Sequence, residues 1–372
     1  MVDLKTQYLK IKDEVDAAVL ETMNSTAYIN GPSVKSFQAN LEEYLGVNHV
    51  IPCANGTDAL QVAMMAAGLK PGDEVIVPAF TYVATAEVIA LLHLTPVMVD
   101  VDPNTFNLTA EIIEAAITPK TKAVVPVHLF GQVSDMESIM EVAKKHNLYV
   151  FEDTAQAIGA KYTFSDGTQK SAGTIGHVGT TSFFPSKNLG CYGDGGAMFS
   201  NDEELTEKIR AIANHGQSKT RYYHDFVGCN SRLDTIQAAI LDIKLKHLND
   251  YAAARVAVAA AYNAAFADIK ELQTPFKAAN STHVYHQYTL RVANGQRDEL
   301  QSYLGEMGIP ARIYYPVPLD EQKAFQGHAV IPKPLTVTKQ LCKEVLSLPM
   351  HTEMDDETLS TIIKGVQSFY KK

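Results

Sequence analysis

The sequence predicts an α/β fold, in which helices cover both faces of a mostly parallel sheet, together with a smaller α+β domain. From about residue 49 to residue 213, short apolar runs alternate with helical patterns. Such alternation is typical of parallel strands joined by right-handed helical crossovers. The 372 residues are enough for two or three domains, and 46% apolar and 20% charged residues are typical of a folded globular chain.

The elements of the first part follow from hydrophobic periodicity and from glycine and proline breaks. Apolar runs predict strands at His49–Ala54, Glu74–Phe80, Pro96–Val101, Ala123–Phe130, Leu148–Glu152, Thr180–Phe184 and Gly196–Ser200. Helical patterns predict helices at Thr57–Leu69, Thr85–His93, Ala110–Ile117, Asp135–His146 and Glu203–Ala213.

The pattern changes after about residue 245. A long alanine-rich helix is predicted at Tyr251–Ala267, followed by a strand at Val284–Val292, a helix at Asp298–Met307 and a proline-rich segment at Pro310–Pro318. We therefore predict a large domain over residues 1–245 and a small C-terminal α+β domain over residues 246–372. The alanine-rich helix is interpreted as a core or domain-bridging helix.

Charge and cysteine content exclude several classes of protein. The formal net charge of −10 disfavours general binding to nucleic acid, because phosphate backbones repel an acidic chain. The four cysteines, Cys53, Cys191, Cys229 and Cys342, are scattered, so neither a disulfide framework nor a metal site is expected. No signal peptide is visible, and apolar stretches such as Val62–Leu69 are shorter than the roughly 20 residues of a membrane span. A soluble cytoplasmic protein is expected.

A phosphate-binding turn is predicted in the segment Cys53–Leu60. A strand ends there, and a helix begins with Gly56 and Thr57. Backbone N–H groups at a helix N-terminus bind anions, and the Thr57 hydroxyl could donate a further hydrogen bond. The alternative is an ordinary helix N-cap, and the segment does not match the G-x-G-x-x-G pattern of dinucleotide-binding proteins.

A carboxylate is predicted at the carboxyl end of a strand, where open α/β sheets bind ligands. Asp153 ends the apolar run there, whereas Glu152 alternates to the opposite face. A carboxylate in that position is costly unless it meets a cation.

A reactive lysine is predicted in the segment 182–196, which reads SFFPSKNLGCYGDGG. Lys187 lies between an apolar strand and four closely spaced glycines. An amine buried among aromatic residues loses its charge readily and can act as a nucleophile. The alternative is a tight loop that carries a solvated lysine.

These three features together match what pyridoxal 5'-phosphate requires. A phosphate site would anchor the cofactor, Asp153 would hold the pyridine nitrogen protonated, and Lys187 would form the Schiff base.

The strings CANGTDALQ, FTYVATAE, SFFPSKNLGCYGDGGA and NSRLDTIQAAIL carry a resemblance to a known family. The chain resembles the DegT/StrS type of nucleotide-sugar aminotransferase over essentially its whole length, from Asp3 to His351. The resemblance implies the aspartate aminotransferase superfold, which is fold type I of the pyridoxal phosphate enzymes, and a homodimer with shared active sites.

The resemblance also implies roles for individual residues. Lys187 would be the catalytic Schiff-base lysine, and Asp153 the partner of the pyridine nitrogen. The other cofactor-binding residues would be Gln156 near the ring hydroxyl, Tyr82 on the ring face, Gly56, Thr57 and Ser182 at the phosphate, and Asn230 at the phosphate across the dimer interface.

Arg232 and Tyr315 would face the sugar substrate. Where similar enzymes have His-Tyr-Pro, this chain has Tyr314-Tyr315-Pro316, so Tyr314 cannot supply an imidazole to the sugar. A guanidinium suits a carboxylate or a diphosphate, but an ion pair of Arg232 with Asp234 or Asp194 is the alternative.

The implied reaction is transfer of an amino group from L-glutamate to the C3 ketone of a UDP-linked 2-acetamido-2-deoxy-3-oxo-hexuronic acid, for polysaccharide biosynthesis. One alternative substrate is a dTDP-linked 3-oxo-6-deoxyhexose. A related dehydratase is disfavoured because relatives with that chemistry replace the lysine by histidine. The alternative outside enzymes is a regulator that binds a sugar phosphate on the same fold.

Two other groups of residues are interpreted without a catalytic role. His283 and His286 have no acidic or cysteine partner nearby in the sequence, so no metal site is expected. Lys219 and Arg221 are interpreted as part of a solvated loop rather than a diphosphate site.

Overall fold

The computed structural model describes residues 1–217 and 219–371. Its α-helices are α1 Leu4–Lys10, α2 Lys12–Ser25, α3 Pro32–Leu45, α4 Gly56–Ala66, α5 Ala84–Leu91, α6 Ala110–Glu114, α7 Met136–His146, α8 Glu203–Ala213, α9 Thr235–Leu245, α10 Leu248–Phe266, α11 Arg297–Glu306, α12 Thr336–Glu344 and α13 Asp356–Tyr370. Its strands are β1 His49–Cys53, β2 Glu74–Pro78, β3 Thr95–Val99, β4 Thr121–Val124, β5 Tyr149–Asp153, β6 Lys161–Thr163, β7 Gln169–Ser171, β8 Val178–Ser182, β9 Gly196–Ser200, β10 Leu272–Gln273, β11 Tyr288–Val292 and β12 Val345–Leu348. Within these two described ranges, no helix combines the length and the apolar character that a membrane span requires.

A large sheet organises the first part of the chain. Among the strands given above, seven pair in the order β1-β9-β8-β5-β4-β2-β3. The pairs from β8 through to β3 are parallel, whereas β9 pairs antiparallel with both β8 and β1. The predicted α/β fold with a mostly parallel sheet is therefore confirmed.

Helices cover both faces of this sheet, as alternating side chains of β2 illustrate. Val75 and Val77 pack in a core with residues of α4, α5 and α8. Ile76 points the other way and packs with Ile113 of α6 and Ile139 of α7. Because successive side chains of a strand face opposite sides, a central strand with both faces covered has apolar residues on both, as Val75–Val77 do in β2.

The carboxyl ends of several strands meet at one edge of the sheet. Gly196 of β9 pairs with Cys53 at the end of β1 and with Ser182 at the end of β8. On the other side of β8, Thr180 pairs with Asp153 at the end of β5. The segments that follow β1, β5 and β8 therefore begin side by side.

Two of the predicted strands are much shorter than expected, and both differences have a local cause. The strand predicted at Ala123–Phe130 ends at Val124, because Pro126 has no N–H for the ladder and Phe130 adopts a φ of +57° in a turn. The strand predicted at Val284–Val292 begins only at Tyr288. The backbone before it bonds instead to that turn, since the N–H of Val284 donates to the carbonyl of Gly131.

The C-terminal part contains an antiparallel sheet of its own, in the order β10-β11-β12. The predicted boundary after residue 245 falls between α9 and α10. Helix α10 packs at Leu248 with the core beneath β1 and at Val258 with the core of the smaller sheet, so it bridges the two parts as interpreted. Residues 319–335 return to the large sheet, where the N–H of Val330 donates to the carbonyl of Pro96 in β3.

Candidate active site

The predicted phosphate-binding turn lies between the end of β1 and the start of α4. Asn55 caps α4 by accepting a hydrogen bond from the N–H of Asp58 at 2.8 Å. The first N–H groups of a helix have no partner within the helix, so those of Gly56 and Thr57 are suited to an anion. A Cβ placed on Gly56 would lie 2.7 Å from the Cβ of Ser182. The structure therefore packs Gly56, the residue before Thr57, directly against Ser182 and leaves no room for a side chain at position 56.

Asp153 ends β5 next to this turn, and its carboxylate is buried, with 7% of the residue exposed. Its Oδ1 accepts a hydrogen bond from the N–H of Ala155 at 3.1 Å. Its Oδ2 accepts one from the hydroxyl of Thr85 at 2.9 Å. Each carboxylate oxygen thus accepts from an uncharged donor. These two donors do not neutralise Asp153, so the carboxylate can still pair with a cation.

Glu152 faces the opposite side of the sheet, as predicted, and is fully buried. Its carboxylate accepts hydrogen bonds from His128 at 2.9 Å and from three backbone N–H groups of the 173–176 turn at 2.5 to 2.9 Å. Burial alone would raise the pKa of Glu152, but the bonds and charge of His128 and the N–H groups outweigh it, so the pKa is lowered. Glu152 therefore holds the turn beneath the site and takes no part at the site itself.

Lys187 follows β8 in a loop at the same edge of the sheet. Its side chain is partly buried, and desolvation lowers the pKa of its amine to about 8, while the nearby carboxylate of Asp153 opposes the shift. Phe183 lies in the core beneath the loop, whereas Phe184 is 52% exposed. The structure thus brings Lys187 and Asp153 close enough for their charges to interact.

Aromatic and amide groups form one wall of the site. The Nε2 of Gln156 donates to the hydroxyl of Tyr315 at 3.2 Å, and its Oε1 accepts from the N–H of Phe130 at 2.8 Å. The ring of Tyr315 lies 6.4 Å from that of Tyr82 and 6.1 Å from that of Tyr314. Burial raises the pKa of Tyr315, and the charge of Asp153 contributes. Two residues assigned to the cofactor and two assigned to the sugar therefore lie together.

Arg232 and Asn230 lie on a segment tied to the phosphate-binding turn by Ser231. Nε and Nη2 of Arg232 donate to Oδ1 of Asn214 at 3.3 and 3.0 Å. Within residues 1–217 and 219–371, no ion pair joins Arg232 to Asp234 or Asp194, so that alternative is not supported. Asn230 is exposed.

The family follows from comparison with known proteins. The model of the DegT/DnrJ/EryC1/StrS aminotransferase family matches residues 9–367. The chain belongs to this family. Its members are pyridoxal phosphate enzymes, so the resemblance, the enzyme class and the cofactor predicted from the sequence are confirmed.

The chain is similar to several curated proteins whose names indicate different functions. The chain is 46% identical to the UDP-2-acetamido-2-deoxy-3-oxo-D-glucuronate aminotransferase of Pseudomonas aeruginosa, over 97% of each chain. It is also 46% identical to the pleiotropic regulatory protein of Geobacillus stearothermophilus, over 100% of this chain and 98% of that protein. Identity to the dTDP-3-amino-3,4,6-trideoxy-alpha-D-glucose transaminase of Streptomyces venezuelae is 38%, over 100% and 96%.

Solved structures of family members share the whole fold. An aminotransferase from Brucella abortus superposes with a TM-score of 0.95 at 43% identity and covers 100% of this chain and 99% of its own. NtdA from Bacillus subtilis, solved with its cofactor PMP bound, superposes with a TM-score of 0.90 at 29% identity, over 98% and 82% of the two chains. The predicted fold type I architecture is therefore confirmed.

Three residues beside the site were missed by sequence reasoning. Thr85 holds Asp153, and Ser231 accepts from the N–H of Ala54 at 3.1 Å and donates to Asp58 at 2.7 Å. The third, Asn188, directly follows Lys187. Small polar residues of this kind are common throughout a chain, so no local pattern distinguishes them.

Asn188 holds a buried histidine next to the lysine loop. Its Nδ2 donates to the carbonyl of Val284 at 3.1 Å, so its Oδ1 accepts from Nδ1 of His286 at 3.1 Å. Desolvation lowers the pKa of His286 well below its ordinary value, and the charges of Lys187 and Arg255 contribute. His286 is therefore neutral, with its proton on Nδ1.

The histidines and the basic residues that were interpreted without a catalytic role lie in different surroundings. No cluster of metal-ligating side chains occurs in the described part of the chain, and the ring of His283 stacks on Tyr285 at 3.9 Å. Lys219 is exposed and pairs with Glu207 at 3.2 Å, and Arg221 lies over the ring of Tyr222. Both side chains therefore lie at the surface of the chain, and neither contacts the phosphate-binding turn in the described residues.

Proposed function

We propose that this chain transfers an amino group from L-glutamate to the C3 ketone of a UDP-linked 2-acetamido-2-deoxy-3-oxo-hexuronic acid. The observation that supports transamination is the desolvated amine of Lys187, with a pKa of about 8, placed in the field of the buried Asp153 carboxylate. The substrate rests on the 46% identity to the Pseudomonas aeruginosa enzyme over nearly the whole of both chains.

The site fits pyridoxal phosphate on three observations of its own. Gly56 starts α4 in close contact with Ser182 and has free backbone N–H groups beside it for a phosphate. Asp153 is a buried carboxylate that can pair with a protonated ring nitrogen, and Lys187 carries an amine with a pKa of about 8. When bound, the cofactor supplies an aldehyde for the amine and a ring that withdraws electrons. Gly56, Thr57 and Ser182 would hold its phosphate, together with Asn230 of a second copy.

Lys187 is proposed as the group that moves protons. With a pKa of about 8, its Nζ can both accept and release a proton near neutral pH, as a general acid–base group must. Asp153 would keep a proton on the pyridine nitrogen through its negative charge. Tyr82 would cover the ring face, and Gln156 would approach the ring hydroxyl.

Arg232 is proposed as the partner of the sugar carboxylate or diphosphate. Asn214 holds Nε and Nη2, which fixes the plane of the guanidinium and leaves further N–H donors for an anion. Tyr315 and Tyr314 would line the sugar site from the wall that they share with Gln156. A guanidinium paired with the carboxylate would favour a uronic acid over a 6-deoxyhexose, which has no carboxylate, whereas a guanidinium paired with the diphosphate would bind both.

We further propose a homodimer with shared active sites. Exposed apolar side chains occur in the loop before Asn230, where Tyr222 is 76%, Tyr223 67% and Val227 88% exposed. Exposed aromatic and aliphatic residues grouped in this way are typical of protein–protein interfaces. Asn230, exposed at the end of this loop, would reach the phosphate in the partner's site.

Turnover of a substrate panel tests this function. UDP-linked and dTDP-linked 3-oxo sugars, with and without a C6 carboxylate, are assayed with glutamate and with other amino donors. We expect the UDP-linked uronic acid to have the highest kcat/KM and Lys187→Ala to abolish turnover. Preference for the dTDP-linked 6-deoxyhexose would support the alternative that the Streptomyces venezuelae relative represents.

The name of the Geobacillus stearothermophilus relative favours a second candidate, a regulator on the same fold. Such a protein would bind a sugar phosphate without turnover. A purified protein whose visible absorbance band disappears on borohydride treatment, and which consumes glutamate, would exclude it.

A further inference from the structure

A threonine hydroxyl is buried against the carboxylate of Asp153. Oγ1 of Thr85 donates to Oδ2 of Asp153 over 2.9 Å, and only 1% of Thr85 is exposed. The backbone N–H of Ala155 donates to the other oxygen, Oδ1, at 3.1 Å. Two donors, one on each oxygen and from separate elements, define the plane of the carboxylate.

The packing of α5 fixes where this hydroxyl points. Thr85 lies in the first turn of α5, and Val88 and Ile89 of the same helix are fully buried in the core beneath the sheet. A threonine has few side-chain rotamers in a helix, so its hydroxyl has little freedom to turn away. Tyr82 stands just before this helix, so one segment would carry both the ring-face residue and the support for Asp153.

We propose that Thr85 is a positioning residue that orients the Asp153 carboxylate toward the pyridine nitrogen of the cofactor. This inference rests on the proposed role of Asp153. A carboxylate buried without donors is costly, and hydrogen bonds to its charged form stabilise that form and restrict its rotation. Without the hydroxyl, the carboxylate can rotate about χ2 and hold the proton on the ring nitrogen less well.

The test measures cofactor affinity without turnover. Lys187→Ala serves as the parent, because without the amine at position 187 pyridoxal phosphate can bind only without that covalent bond. Dissociation constants are measured for pyridoxal phosphate and for its 1-deaza analogue, which has a carbon in place of the pyridine nitrogen. A contribution made through Asp153 and the ring nitrogen affects only the first ligand.

Four substitutions are compared in this parent. Thr85→Val keeps the shape of the side chain and removes the hydroxyl, whereas Thr85→Ser keeps the hydroxyl. Thr206→Val is the matched control, because Thr206 is 2% exposed and its Oγ1 has no hydrogen-bond partner among the described residues. Asp153→Asn removes the charge itself.

We expect Thr85→Val to weaken binding of pyridoxal phosphate about tenfold, as for loss of a hydrogen bond to a charged group, and binding of the deaza analogue less than twofold. Thr85→Ser should retain the preference for pyridoxal phosphate over the deaza analogue. Thr206→Val should leave this preference unchanged. Equal weakening of both ligands by Thr85→Val, or of neither, would overturn the inference.

Asp153→Asn separates this inference from the proposed function. If Asp153→Asn removes the preference for the ring nitrogen and Thr85→Val does not, the role of Thr85 is wrong and that of Asp153 stands. If neither variant changes the preference, the proposed role of Asp153 is wrong. If Thr85→Val does not fold, Thr85→Ala takes its place, with the same expected loss of preference.

Discussion

The side-chain amide of Gln156 joins the cofactor side of the site to the sugar side, since its Nε2 donates to the hydroxyl of Tyr315 at 3.2 Å. The other end of the amide is fixed, because its Oε1 accepts from the N–H of Phe130 at 2.8 Å. That N–H belongs to a residue with a φ of +57°, in the turn that ends the β4 segment. A substitution at Tyr315 therefore removes a hydrogen bond of Gln156, the residue assigned to the ring hydroxyl of the cofactor.

Tyr315→Phe should reduce kcat/KM for the sugar about fivefold to tenfold, because it leaves Nε2 of the buried Gln156 without its acceptor. Cofactor affinity should change less, since Phe130 still orients the amide. Steady-state kinetics and a cofactor titration check both parts. Tyr149→Phe is the control, because Tyr149 lies at the start of β5, away from Asp153 at the other end of the strand. An equal loss in both variants would contradict a specific role for the Gln156 contact.

The pH dependence of cofactor capture should report the pKa of Lys187. Only the neutral amine attacks an aldehyde, so the rate at which apoprotein develops its visible band should rise with pH and level off above about pH 8. The amine of an exposed lysine would still be charged at that pH. Asp153→Asn should move the midpoint lower, because the carboxylate opposes the effect of burial. A midpoint near 10.5 in stopped-flow traces would contradict this prediction.

Glu152→Gln should destabilise the fold by about 3 kcal/mol, because an amide cannot accept all the hydrogen bonds that this buried carboxylate receives. The folded pKa of Glu152 is lowered from 4.5, so the contribution is complete above that pH and is lost as the pH falls through the lower folded value. Denaturant unfolding measures it. Glu204→Gln, at a side chain that is 81% exposed, should leave the free energy of unfolding nearly unchanged.

The elements that could be predicted are those specified by local pattern. The bounds predicted for β9 at Gly196–Ser200 and for α8 at Glu203–Ala213 agree with the structure residue for residue. Strand ends that depend on partners were placed wrongly, as at Ala123–Phe130, where Pro126 and the turn at Phe130 decide the end. Periodicity along the chain contains no information about such partners.

In the site, too, the residues with a local sequence pattern could be predicted, and those defined by distant contacts could not. Lys187, Asp153 and the turn at Gly56 have recognisable neighbours in the sequence, and the structure places them at one edge of the sheet. Thr85 meets Asp153 across a separation of 68 residues, and His286 meets Asn188 across 98. Such contacts are created by the fold, so a single sequence does not reveal them.

Gly56→Ala should weaken binding of pyridoxal phosphate at least tenfold, because the added Cβ would lie 2.7 Å from the Cβ of Ser182 and force the two segments apart. Gly305→Ala is the matched control, since a Cβ there meets nothing within 4 Å and Gly305 lies in α11. Fluorescence titration of both apoproteins compares them. Similar affinities in the two variants would show that the turn does not approach the phosphate.

Mixing two inactive variants should restore activity if each site takes residues from both chains. Lys187→Ala keeps Asn230, and Asn230→Asp, which places a negative charge near the phosphate, keeps Lys187. A mixed dimer has one site with both native residues, so random exchange of subunits should restore about a quarter of the wild-type activity. The two variants are unfolded together, refolded and assayed at several mixing ratios, with each variant alone as the control. Activity that stays at the sum of the separate variants, in a sample that light scattering shows to be dimeric, would mean that Asn230 serves the site of its own chain.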